Sequence, residues 1–203
     1  THCLREDRVL MADATSDRIL CHVADGIMRI QINRPDKKNA LTVAMYVELA
    51  AALDRAERQP DVRVVVIHGH PQVFSSGNDI ADFLNPAPAG DDPPVLRFLR
   101  SISSAAKPIV AAVDGPAVGI GTTLLLHCDL VYAGEGARFQ LPFVNLGLVP
   151  EAGSTFLLPA TTGYRRAAEL LLLGEPFSAV KAQQYGIVTE VVADGETLEA
   201  ATR

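Results

Sequence analysis

The chain is short of cysteine, and that removes several classes of protein at once. Only Cys3, Cys21 and Cys128 occur, with no Cys-x-x-Cys pair. A disulfide framework or a zinc site is therefore not expected, and the usage fits a reducing compartment. Positive charge is also in deficit. Against 24 Asp and Glu stand 18 Lys and Arg, a net charge of −6, so nothing global attracts nucleic acid or an anionic membrane. No apolar run reaches membrane-spanning length. Residues 1–18 are polar and charged and do not read as a signal peptide. Met11 begins a more ordinary N-terminus than Thr1, so residues 1–10 read as upstream sequence, and the first ~18 residues are expected to be poorly ordered. With no targeting segment seen, cytoplasm is the default location. Two phosphate motifs are missing as well: no Lys follows Gly121, as a P-loop requires, and G-x-G-x-x-G does not occur there.

What is present is ordinary globular composition, 48% hydrophobic and 21% charged over 203 residues, enough for one good-sized domain, taken as residues 19–203. Its centre is Asp114-Gly-Pro-Ala-Val-Gly-Ile-Gly-Thr-Thr123. The apolar run Pro108–Val113 leads in as a strand, and a helical run, Thr122 to His127, leads out. A glycine-rich turn opening a helix leaves N–H groups free for an anion or a developing oxyanion. By itself the same pattern more readily describes a tight turn packing a helix on a sheet.

Either side of that turn, strands alternate with helices. Ile19 to Val23 and Ile27 to Ile32 flank Asp25-Gly26 as a hairpin. Thr42 caps a helix running to about Arg58, with Tyr46, Leu49, Ala50, Leu53 and Ala56 on one face. Val62–Ile67 reads as a buried strand, and Asp79 caps a short helix through Phe83. Residues 85–94 have the composition of a mobile loop. Val95 to Ala105 reads as a helix with Leu96, Leu99 and Ile102 on one side. Further strands are expected at 129–133, 138–140 and 187–192, and helices around 153–160, 164–173, from Ser178 to near Gln184, and from Glu196 onward. The pattern predicts an α/β fold with mainly parallel pairing. His68, His70 and His127 have no third ligand at metal spacing and read as surface or packing residues. No metal site is expected.

Six stretches, in this order, resemble the crotonase superfamily, also called the enoyl-CoA hydratase/isomerase family. They are Asn33-Arg-Pro through Asn39-Ala-Leu41, Phe74-Ser-Ser-Gly-Asn-Asp-Ile80, Asp114 through Gly121, Cys128-Asp-Leu-Val-Tyr-Ala133, Leu146-Gly-Leu-Val-Pro150, and Phe177-Ser-Ala through Gly186-Ile-Val188. The resemblance implies a spiral of ββα units, which periodicity alone does not indicate. It also implies a C-terminal helical segment that this chain is expected to stop short of, and a homotrimer or pair of trimers. The implied substrate is an acyl-CoA thioester, with no cofactor beyond the CoA of the substrate.

The family's shared chemistry is stabilisation of a thioester enolate by two backbone N–H groups. By position these belong to Asn78 and Ile120, the latter a departure, since many members carry Gly there. Hydratases of the family use two glutamates, and Thr123 and Phe143 occupy those positions here, which argues against efficient hydration. Glu151, in Val149-Pro-Glu-Ala-Gly-Ser154, stands where one branch of the Δ3,Δ2-enoyl-CoA isomerases places a single catalytic Glu. Phe143, Leu148, Val149 and Phe156 are expected to make its surroundings apolar and raise its pKa. Read without the family, Glu151 is a helix-start residue favoured by the macrodipole. The resemblance assigns Lys37, Lys38, Ala40, Ser76, Asp79, Ile80 and Phe143 to CoA and acyl binding. Lys37 and Lys38 fit a solvated face equally well. Thr123 either holds a water or packs inertly. The implied reaction is isomerisation of a 3-enoyl thioester. The alternatives are hydration, another enolate chemistry such as decarboxylation or thioester hydrolysis, and an inert acyl-CoA-binding paralogue.

Overall fold

The computed structural model describes residues 17–84 and 92–203. The expected disorder of the N-terminal stretch and most of the expected mobile loop at 85–94 lie outside the described residues. The alternating apolar residues at the start form the hairpin, β1 (Ile19–Ala24) and β2 (Ile27–Ile32), paired antiparallel across Asp25 and Gly26. Thr42 then caps α1 (Val43–Arg58), its side chain accepting from the Met45 N–H. The five residues foreseen on one face of α1 are all buried, as a 3.6-residue period requires.

β3 (Val64–His68), β4 (Ile109–Val113), β6 (Leu130–Gly134) and β9 (Glu190–Val192) join the hairpin in a six-stranded sheet of order β1-β2-β3-β4-β6-β9, parallel after the first pair. A second sheet is made by β5 (Pro116–Val118), β7 (Arg138–Gln140) and β8 (Phe177–Ser178), in the order β5-β7-β8. From β4 to β7 successive strands alternate between the two sheets, so each pass of the chain lays one strand on each. That winding is the expected spiral of ββα units. The helices are α2 (Ile80–Leu84), α3 (Pro94–Ser103), α4 (Ile120–Thr123), α5 (Ser154–Thr162), α6 (Tyr164–Leu173), α7 (Ala179–Gln184) and α8 (Thr197–Thr202). Among the described residues, no helix is long and apolar enough to cross a membrane.

Three local expectations change. The glycine-rich turn contains a strand, β5, and the helix after it starts at Ile120 rather than Thr122, giving way to a 3-10 turn at Leu124–His127. The buried side of α3 is Phe98 and Ile102, while Leu96 is exposed. Packing against α1, where Phe98 meets the Tyr46 ring at 5.5 Å, sets that face. Finally, β9 begins only at Glu190, because Ile187 and Val188 are buried in the turn that follows α7.

Candidate active site

Two extended segments run side by side at the end of β5. Ser75 forms a parallel bridge with Ala117, the Val118 N–H donates to the Ser75 carbonyl at 2.9 Å, and the Phe74 and Ser75 N–H groups both reach the Pro116 carbonyl. Small residues permit this closeness. A Cβ on Gly77, which has φ +98°, would lie 3.0 Å from the Val118 carbonyl oxygen, and one on Gly121 would lie 2.8 Å from that of Ser75. On the other side of residues 74–79 lies the loop after β2. Asn78 bridges Leu41 in parallel, with the Leu41 N–H donating to the Gly77 carbonyl and the Asp79 N–H to the Leu41 carbonyl, both at 2.8 Å. In a parallel bridge of this register the N–H of the central residue points away from its partner strand. The Asn78 N–H accordingly makes no hydrogen bond among the described residues. Neither does that of Ile120, which opens α4 in the first turn, where intrahelical partners are lacking. The two N–H groups named from the sequence thus project from adjoining segments.

The loop before α1 is fastened to the same segment by Asn39, which is fully buried. Its side-chain N–H groups donate to the Val73 and Phe74 carbonyls at 3.0 and 3.1 Å, its Oδ1 accepts from the Arg34 N–H, and its carbonyl accepts from the Ser75 hydroxyl. Asn39 and Lys38 both sit at positive φ. Asn tolerates that region, and its role here as a pin was not foreseen. Arg34 adds an ion pair to Asp79 at 2.6 Å and holds that carboxyl below its ordinary range. Asp79 in turn caps α2 through the Ala81 N–H.

Glu151 lies on the opposite bank. It precedes α5, which begins only at Ser154 with Gly153 as its cap, so it is not a first-turn residue of that helix. The intervening turn holds Ala152 and Gly153 at φ +54° and +67°. Both the N–H and the hydroxyl of Ser154 donate to the Glu151 carbonyl, and His127 Nε2 meets the Ala152 carbonyl at 2.9 Å. The side chain is directed back to α4, where the buried Thr123 hydroxyl donates to Oε1 at 3.2 Å. Burial raises the Glu151 pKa, and the Thr123 hydrogen bond lowers it in part. The Glu151 charge also acts on Tyr46 of α1, whose hydroxyl donates to Asn78 Oδ1. Thr123 of α4 and Tyr46 of α1 thus link Glu151 to the two segments that carry Ile120 and Asn78.

The sequence model described as enoyl-CoA hydratase/isomerase matches residues 22–203. The chain belongs to this family. It is 39% identical over 188 residues to the 1,2-epoxyphenylacetyl-CoA isomerase of Escherichia coli K12, covering 89% of this chain and 71% of that one. It is 41% identical over 182 residues to the mouse enoyl-CoA delta isomerase 3, peroxisomal, covering 87% of this chain and 57% of the mouse protein. The chain thus spans little more than half of the mouse protein's length. A crystal structure of an enoyl-CoA hydratase/isomerase from Pseudoalteromonas atlantica superposes with a TM-score of 0.89 at 41% identity, over 92% of this chain and 74% of that one.

Within this enoyl-CoA hydratase/isomerase chain, the remaining expectations divide. Lys37 and Lys38 are exposed at the end of the 3-10 turn Pro35–Lys37, and only the backbone of Lys38 is tied to the site, accepting from the Ser76 N–H at 3.0 Å. Ala40 and Ser76 are half-buried, and Ile80 is largely exposed. Phe143 is buried in the main hydrophobic cluster. Val149 and Phe156 do not enclose Glu151 as expected. They are 82% and 76% exposed, since side chains on the turn ahead of α5 and on its outer face point away from the sheet. Thr123 is not inert packing but a donor to Glu151, and His127, read as a packing residue without a partner, braces the turn after it. Tyr46 was legible only as a core position of α1, because nothing in the spacing relates it to Asn78.

Proposed function

We propose that this chain catalyses isomerisation of a 3-enoyl-CoA thioester to the 2-enoyl form. Glu151 removes a proton from C2, the Asn78 and Ile120 N–H groups hold the oxygen of the resulting dienolate, and the same carboxyl returns the proton at C4. One observation carries the reading. The half-buried Glu151 carboxyl is hydrogen-bonded to Thr123, the residue standing at one of the two positions where a hydratase carries a glutamate. A single carboxyl suits a proton moved between two carbons, and its raised pKa brings base and acid forms closer to working pH. The step requires no metal and no redox cofactor. The acyl-CoA would run from the 37–40 loop past Ser76, Asp79 and Ile80 towards Phe143.

Turnover of a 3-enoyl-CoA by wild type and Glu151→Gln tests this directly. The substitution keeps size and polarity but removes the base, and a loss of ~10²–10⁴-fold is expected. Equal rates would remove Glu151 from the mechanism. The name of the Escherichia coli relative favours a second substrate, 1,2-epoxyphenylacetyl-CoA, for the same assay, with 2-enoyl-CoA hydration as the contrast. The proposal extends to a cytoplasmic location and to a homotrimer or dimer of trimers, the assembly supported by exposed apolar side chains at Val149, Phe156, Tyr164, Leu172 and Leu173. Light scattering should find a species of three or six chains, and a monodisperse monomer would contradict it.

A further inference from the structure

Tyr46 is 4% exposed and lies on the inner face of α1, its ring against Phe98 of α3. A buried phenol ordinarily finds a hydrogen-bond partner, and this one donates to Asn78 Oδ1. Asn78 is otherwise an exposed residue on a short connection, held on one side by the bridge to Leu41 and followed at once by α2. The Tyr46 bond ties it from the other side to a sixteen-residue helix with seven buried residues, a far stiffer element. We propose that Tyr46 is a positioning residue of the oxyanion hole, anchoring the Asn78 side chain so that the Asn78 N–H stays aimed at the thioester oxygen. This rests on the reading of Asn78 as an oxyanion donor, and it adds a side chain to a device otherwise made of backbone. Burial, and after it the Glu151 charge, raise the Tyr46 pKa well above its ordinary value. The group therefore remains a donor across the working range, and it does not compete with Glu151 as a base.

The test separates this role from packing and from the reaction itself. The probe is 2,4-hexadienoyl-CoA, a conjugated thioester whose absorption moves to longer wavelength when its carbonyl is polarised. Bound to wild type it should show that red shift, and bound to Glu151→Gln it should show the same shift without turnover. Tyr46→Phe keeps the ring against Phe98 and removes only the hydroxyl. It should lose most of the shift while binding the probe within about threefold, and its kcat should fall by about 10–100-fold, as small misplacement of a donor does. Asn78→Ala removes the same bond from the accepting side without altering α1, so it serves where Tyr46→Phe folds poorly. The double variant should be no worse than the poorer single one, the mark of two residues acting through one bond. A full red shift in Tyr46→Phe or Asn78→Ala overturns the proposal, as does a wild type that shows none. A wild type that polarises the probe but does not isomerise a 3-enoyl-CoA would sink the proposed reaction and leave Tyr46's role standing.

Discussion

Thr123 and Glu151 are 28 positions apart in the chain and 3.2 Å apart in space. The hydroxyl favours the charged carboxylate, while burial disfavours it, and burial is the stronger of the two. Thr123→Val is nearly isosteric and removes the donor. The Glu151 pKa should then rise further, and because in the proposed mechanism the base form removes the C2 proton, the acid limb of the kcat/KM profile should move to higher pH. Activity should fall more on the acidic side than on the alkaline side, and an unmoved limb would return Thr123 to inert packing. At this scale the sequence singled out Glu151 by its place in a motif. It could not say that Val149, ahead of the turn, and Phe156, on α5, would stand in solvent, because the way each faces depends on what the turn and the helix pack against.

The central turn shows the same division at the scale of elements. Its glycines announced a close approach, but not that residues 116–118 would pair with β7 and bridge Ser75. That pairing straightens the start of the stretch and moves the helix start to Ile120, whose N–H is left without an intrahelical partner. Gly121→Ala checks the geometry. Its methyl would meet the Ser75 carbonyl oxygen at 2.8 Å, and a backbone atom cannot swing aside. The segment carrying Asn78 must shift away from α4, at a cost of about 1–3 kcal/mol and about 10²-fold in activity from the displaced donor pair. Thermal unfolding and turnover measured together would show both losses, and a fully active, fully stable variant would disprove the close contact. By contrast α1 was legible end to end, because its cap at Thr42, its apolar stripe and its stop at Pro60 are all local signals.

For the molecule as a whole, Glu151 in its proposed role sets function against stability. Its carboxyl has a higher pKa folded than unfolded, so the native state holds its proton more tightly. Stability from this group is complete below the unfolded pKa and falls as pH rises through the folded one. Glu151→Gln carries no charge to bury. Its Tm should exceed that of wild type by up to a few degrees near neutral pH, and the gap should close in mild acid. A gap of constant size across pH would mean that the ionisation of Glu151 is not its cause.

The sequence by itself determined the α/β class, the hairpin, α1, the order of the later strands and helices, and the family, because periodicity, caps and contiguous motifs are written in neighbouring residues. Only the tertiary structure decided that residues 116–118 pair with β7 in the second sheet, that Asn39 pins the loop before α1, that His127 braces the turn after Glu151, and that Thr123 bonds Glu151 and Tyr46 bonds Asn78. Each of these is a hydrogen bond or pairing between residues far apart in the chain, and such partners are chosen by the packing of whole elements.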